Sequence, residues 1–169
     1  MRTRNPRHGS AIVEFILAGL ASCALLITTV QLSMAMWHYH TIAYATHEIN
    51  RYISTHGRSC SQGGNTCTIT VGDIATRWKS QAVGIPSSSA SLTLTSHSGT
   101  VYTCNPVANC LTDGTQWPPM AHLDNAPGRW TTVSSSYTFH SAIVLVWPGW
   151  SGRTGSITVP STSKITMQF

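Results

Sequence analysis

SAIVEFILAGLASCALLITTVQLSMAMW, residues 10–37, carries a single charge, Glu14, in a run that apart from Gln31 is otherwise apolar, small or hydroxylated. As a helix rising 1.5 Å per residue the run measures about 40 Å, enough to cross a bilayer with some tilt. Arg2, Arg4 and Arg7 stand ahead of it, and no further Arg or Lys occurs until Arg51. That asymmetry predicts a cytoplasmic amino terminus and an extracytoplasmic remainder, because positive flanks stay on the cytoplasmic side. Trp37 and Tyr39 fall where an aromatic interfacial belt would lie.

Helical periodicity continues past the apolar run. Ile42, Ala45, Ile49 and Ile53 recur at three- and four-residue spacing, and His47, Glu48, Asn50 and Arg51 supply a polar side. Gly57 offers a stop, with Cys60 soon after. The expectation is one helix of roughly 44 residues, about 65 Å long, whose outer half is amphipathic. Its apolar stripe needs a partner, and the rest of the chain supplies one.

That remainder reads as β-rich. Thr66–Val71 has strand composition, and Asp73 is placed to N-cap a short helix with Ile74, Trp78 and Ala82 on one side. Ala90, Leu92 and Leu94 alternate with polar residues, and SHSG (96–99) turns the chain toward Val101–Tyr102. Asn105–Gly128, rich in Pro, Asn, Asp and Gly, reads as a long surface loop. Tyr137–Trp147 is the strongest strand candidate, and WPGWSGRTG leads from it to a last β segment, Ser156–Phe169, with a kink expected at Pro160. The fold class is therefore α+β: a long N-terminal transmembrane and amphipathic helix packed on a small antiparallel sheet. The expected organisation is a basic leader (1–9), a transmembrane helix (10–37), an amphipathic extension (38–56) and an extracytoplasmic β-rich domain (57–169).

Composition narrows the function. A chain of 169 residues holds one domain, or a small domain with an appendage. Its net charge of +5 is concentrated in the leader, since seven basic residues face five acidic ones once Arg2, Arg4 and Arg7 are set aside. The basic character is thus a matter of topology rather than of a nucleic-acid surface. Four of the five cysteines form two local pairs, Cys60 with Cys67 and Cys104 with Cys110, without the C-x-x-C spacing of zinc or redox centres. Short-range disulfides in an oxidising compartment are the expectation, with four separate thiols as the other possibility.

A carboxylate inside a membrane helix costs about 2.5–3.5 kcal/mol near the centre and less toward an end. Glu14 finds a purpose if the chain is cut between Gly9 and Ser10. Ser10 then becomes the first residue and Glu14 the fifth, one helical turn from a new α-amine, so that the two charges offset each other's desolvation within a chain or between neighbours. The alternative is an end-of-span residue reaching for the headgroups. The basic leader, Gly9, a small residue next, Glu14, Phe15 and the apolar helix resemble a class III, type IV prepilin signal. GSAIVEFILA together with INRYIST (49–55) resembles the TadE-like minor pseudopilins of tight-adherence (Tad/Flp) pilus systems, with Glu14, Phe15 and Arg51 at the matching places. The resemblance covers roughly residues 7–55; beyond that it is architectural.

The resemblance implies processing after Gly9 by a membrane-embedded prepilin peptidase, anchorage in the bacterial inner membrane by a single pass, and association with other pilins or pseudopilins and the Tad assembly platform. It also implies a role for Glu14 in setting register against a neighbour's amino terminus. Ala18, Gly19, Ala21 and Ser22 form a small-residue surface suited to close helix approach, although such residues are common in membrane helices generally. The folded domain after residue 57 points to a minor component, because the major pilins of these systems are much shorter.

Rival readings leave fewer residues explained. Leu20-Ala21-Ser22-Cys23 fits a lipobox, but the apolar run continues through residues 24–30. A secretory signal has a shorter apolar core and a prompt A-x-A site. Ser161-x-x-Lys164 lacks its companion motifs, GWSGR (149–153) misses the nucleophile-elbow pattern, and Asp73, Asp113 and Asp124 show no pairing in their spacing. No enzyme, cofactor, metal or small-molecule substrate is expected. His38 and His40 point about 200° apart on a helix, and His40 and His47 lie about 10 Å apart along the axis, so the histidines read as interfacial polar residues. The remaining alternative is a signal-anchored extracytoplasmic binding domain that never enters a pilus.

Overall fold

The computed structural model describes residues 8–60, 67, 69–140 and 156–168. The leader before His8, the outer part of the Tyr137–Trp147 segment, the WPGWSGRTG connection and Phe169 lie outside the described residues, as do Thr66 and Thr68. The first element is a 47-residue helix, α1, spanning His8–Ser54, so the single long helix predicted by periodicity is present. The described chain falls into two compact units, one holding α1 as far as Met36, the other Trp37–His140 and the segment from Ser156.

In the second unit the outer part of α1 buries Ile42, Ala45, Ile49 and Ile53 completely. Thr46, Asn50 and Ser54, each four residues apart, are buried as well. Asn50, expected on the polar side, therefore belongs to the packed face. The reason is what it meets: Thr46 Oγ1 lies 2.5 Å from Ser135 Oγ, and Asn50 Nδ2 donates to Ser163 Oγ at 3.1 Å. Hydroxyl groups of the sheet give these polar helix residues partners, which makes their burial tolerable. The helix stops with its last carbonyls occupied. Ser54 Oγ donates to the Arg51 carbonyl at 2.7 Å, the His56 amide to Ile53, and the Gln168 amide to Ser54.

Helix α2 spans Val71–Gln81. Its N-cap is Thr70 rather than Asp73. Thr70 Oγ1 accepts from the Asp73 amide, and the Asp73 carboxylate accepts from the Thr70 amide, a reciprocal capping box. This corrects the strand expected at Thr66–Val71: Thr70 makes only an isolated bridge to Gln116, and Val71 opens the helix. The Val71 and Gly72 amides, the next donors without intrahelical partners, bond to the carbonyls of Thr115 and Asp113 at 2.8 Å each. Gly72 is needed there, since a Cβ would sit 2.8 Å from the Asp113 carbonyl oxygen. Ile74, Trp78 and Ala82 are buried on one side, as expected.

Among the described residues the sheet has four antiparallel strands, β1 (Ala90–Thr95), β2 (Val101–Cys104), β3 (Trp130–His140) and β4 (Ser156–Thr166), in the order β2-β1-β3-β4. Leu92 pairs with Cys104 on one side and Ser135 on the other, and Val133 pairs with Leu94 and Ser163. Ala90, Leu92, Leu94, Val133 and Val159 enter the same core as Ile42, Ile49, Ile74 and Trp78. Strand β3 starts seven residues before the expected Tyr137, because its inward set (Thr131, Val133, Ser135) contains one apolar residue. β4 runs through Pro160 with its register intact, Pro160 opposite Ser136. Lying at the sheet edge, it tolerates a residue without an amide donor, and no break in the pairing results.

Both expected disulfides are present, Cys60–Cys67 and Cys104–Cys110. The Asn105–Gly128 segment is more than a surface loop. Val107, Trp117 and Asp124 are buried, and the Trp117 amide bonds to the Ile69 carbonyl at 3.0 Å.

Candidate functional site

Residues 11–36 of α1 present apolar side chains to every side. Ile12, Val13, Phe15, Leu17, Leu20, Leu25, Leu26 and Val30 are all more than half exposed, Phe15 most of all at 79%. Fully burying such a side chain is worth about 1.5–3 kcal/mol, so a run of them exposed to water on one helix is a strong drive toward lipid or other helices. The hydroxyls on this stretch are turned inward. Ser22, Thr28, Thr29 and Ser33 each donate to the carbonyl four residues back at 2.7–2.9 Å. That leaves their outer surface without an unpaired donor, the condition a residue must meet in hydrocarbon. By length and composition, Ala11–Ser54 contains a stretch able to cross a membrane.

Glu14 is exposed on this surface, and no described residue pairs with it. Gly9 and Ser10 fall in the first turn of α1, with no acidic residue in that turn. Ala18, Gly19 and Ser22 lie within one turn of each other, and a Cβ added at Gly19 would meet nothing within 4 Å. Cys23 is an exposed thiol on the same stretch.

The structure separates the other candidate groups. His38, expected at the interfacial belt, is buried, with 7% exposure, and packs in tilted and edge-on contacts against Trp37, Tyr137 and Phe139 at centroid distances of 5.2–5.5 Å. Burial lowers its pKa, and a hydrogen bond to the Gly84 backbone opposes that only in part. His40 and His47 are exposed. Asp73 belongs to the helix cap, Asp113 accepts from the Tyr102 hydroxyl and the Thr115 amide, and Asp124 accepts from the Ser98 amide at 3.0 Å and from its hydroxyl. Each is committed to local structure. Ser161 and Lys164 sit three residues apart on β4 and so point to opposite faces, Lys164 Nζ lying 4.0 Å from the centre of the Trp130 ring. GWSGR lies outside the described residues. No group of three His, Cys, Asp or Glu residues comes together to hold a metal among the described residues.

Sequence reading did not single out Arg77 or Gly84. Arg77 stacks on Tyr52, and Gly84 receives the Trp37 ring; both contacts join segments too far apart in the chain for periodicity to reveal.

Residues 9–51 match the family model of TadE-like protein. The match begins at the residue before the expected cut, spans the apolar stretch and runs through the packed face to Arg51. No curated protein and no solved structure matches the chain.

Proposed function

We propose that the chain is a minor pseudopilin-like component of a Tad/Flp-type pilus assembly and secretion apparatus, not an enzyme. The observation that carries this reading is the coincidence of the TadE-like match with a helical stretch, residues 11–36 of α1, whose apolar side chains are exposed all round and whose one charge is Glu14. In this reading α1 anchors the protein in the inner membrane with its amino terminus in the cytoplasm, and the disulfide-bearing domain lies outside. Prepilin peptidase cuts between Gly9 and Ser10. The new ammonium group then sits at the positive end of the helix dipole, where a cation is disfavoured. Glu14, about 6 Å along the axis at the i,i+4 position, supplies the compensating charge. In an assembled bundle the same carboxylate serves a neighbour's amino terminus and fixes register, while Phe15 and the Ala18, Gly19, Ser22 surface set the approach of the helices.

Glu14→Ala and Glu14→Asp test the assignment. Glu14→Ala should be cut normally yet abolish or strongly reduce pili on cells, and Glu14→Asp should retain part of the function. Normal piliation in Glu14→Ala would remove the register role.

A further inference from the structure

The membrane-distal end of α1 meets α2 around an open cavity of about 410 Å³ lined by Glu48, Arg51, Tyr52, Thr55, His56 and Arg77. Its charges do not balance. Arg51 and Glu48 form a two-bond pair, Nε to Oε2 and Nη2 to Oε1, both at 3.1 Å. That bonding holds the Glu48 carboxyl below its usual range. Both Glu48 oxygens are therefore engaged. Arg77 approaches from α2 with its guanidinium carbon 4.3 Å from the centre of the Tyr52 ring. The His56 ring packs at a tilt against the same ring, 4.1 Å between centroids, its Nδ1 bonded to the Tyr52 carbonyl at 2.7 Å. Among the described residues no carboxylate forms an ion pair with Arg77, although the Arg77 charge also helps to hold the Glu48 carboxyl down.

We infer that this cavity is a docking site for an acidic segment of a protein partner, whose carboxylate pairs with Arg77. A guanidinium held against an aromatic ring has its position fixed while its in-plane N–H groups stay available. Planar N–H donors at that spacing match the two oxygens of a carboxylate, and the cavity already holds one such pair in Arg51 and Glu48. Two guanidinium groups with one carboxylate leave a place for one more carboxylate. Arg77 is exposed, about 100° round α2 from the buried Trp78, so docking needs no rearrangement of the core.

The test uses the full-length chain in detergent and a fluorescein-labelled tetraglutamate peptide, with tetraglutamine as control, read by fluorescence anisotropy at low salt. The expected result is saturable binding of tetraglutamate alone, weakened at least about tenfold by Arg77→Glu and less by Arg77→Lys, which keeps the charge but loses the planar fork. Lys79→Glu, on the same helix but about 200° away, should change binding by under about twofold. Thermal unfolding of the Arg77 variants should stay within a few degrees of the parent, since the exposed residue gives up only its contact with Tyr52. Absence of saturable binding, equal losses in Lys79→Glu and Arg77→Glu, or displacement of the peptide by equimolar inorganic phosphate would each overturn the inference.

Discussion

Trp37 lays its indole against Gly84, so closely that a Cβ on Gly84 would stand 2.6 Å from Cη2 and 2.8 Å from Cζ3. Gly84 also has φ +81°, a left-handed conformation that disfavours every side chain. Trp37 closes the apolar run of α1, and Gly84 follows α2, so the contact ties the start of the packed helix to the chain beyond α2. Gly84→Ala should destabilise the domain by about 2–4 kcal/mol, from the left-handed backbone and the overpacked ring together. In a Trp37→Leu background the steric part should fall away, leaving about 1–2 kcal/mol. Chemical denaturation followed by near-ultraviolet circular dichroism measures both.

Asn50 gives a second expectation. Its Nδ2 has Ser163 as partner, but its buried Oδ1 has none among the described residues. Asn50→Ala should cost about 1–3 kcal/mol, through the cavity left and the orphaned Ser163 hydroxyl. Asn50→Leu removes the unsatisfied oxygen and fills the space, so it should cost less than Asn50→Ala. The same denaturation midpoints check the order.

Stability should fall in acid in two steps. His38 is held neutral by burial, so its folded pKa lies below its ordinary value of about 6.5. The unfolded chain then takes up the proton first as pH drops, and the His38 contribution, complete above about pH 6.5, is lost from there down to the folded pKa. Asp124 follows the same sign at lower pH. Burial raises its pKa, but the hydrogen bonds from Ser96 and Ser98 outweigh that and leave it lowered. Its contribution is complete above about pH 4 and disappears as pH falls through the folded value. His38→Phe should remove the upper step and leave the lower one, as measured by thermal midpoints between neutral pH and about pH 3.

The long helix was legible because its pattern is strong over nearly fifty residues: a charge-poor run and then Ile42, Ala45, Ile49 and Ile53 at helical spacing. β1 showed in the alternation of Ala90, Leu92 and Leu94, and the two disulfides in the closeness of their cysteines. The start of β3 stayed hidden because its inward residues Thr131 and Ser135 are polar, and their partners, the Thr95 carbonyl and the Thr46 hydroxyl, come from other elements. Asn50 was misplaced for the same reason. Thr70 was hidden as a cap because its carboxylate partner, Asp73, is itself a good N-cap. The Asn105–Gly128 segment looked solvated because its anchors, Trp117 and Asp124, find partners in Ile69 and Ser98, which the local sequence does not reveal. At the candidate site the chemistry of Glu14 was readable, since a lone carboxylate in an apolar run is conspicuous. The Arg77 cavity was not, since it joins two helices across more than twenty residues of chain.

The intact mass and amino-terminal residue of the membrane-extracted protein, with and without prepilin peptidase in the cell, test the central claim most directly. The account predicts a mature chain beginning at Ser10 that is replaced by the uncut precursor when the peptidase is absent. A chain still beginning at Met1 with the peptidase present, or one beginning at a lipid-modified Cys23, would contradict it and leave Glu14 without its partner.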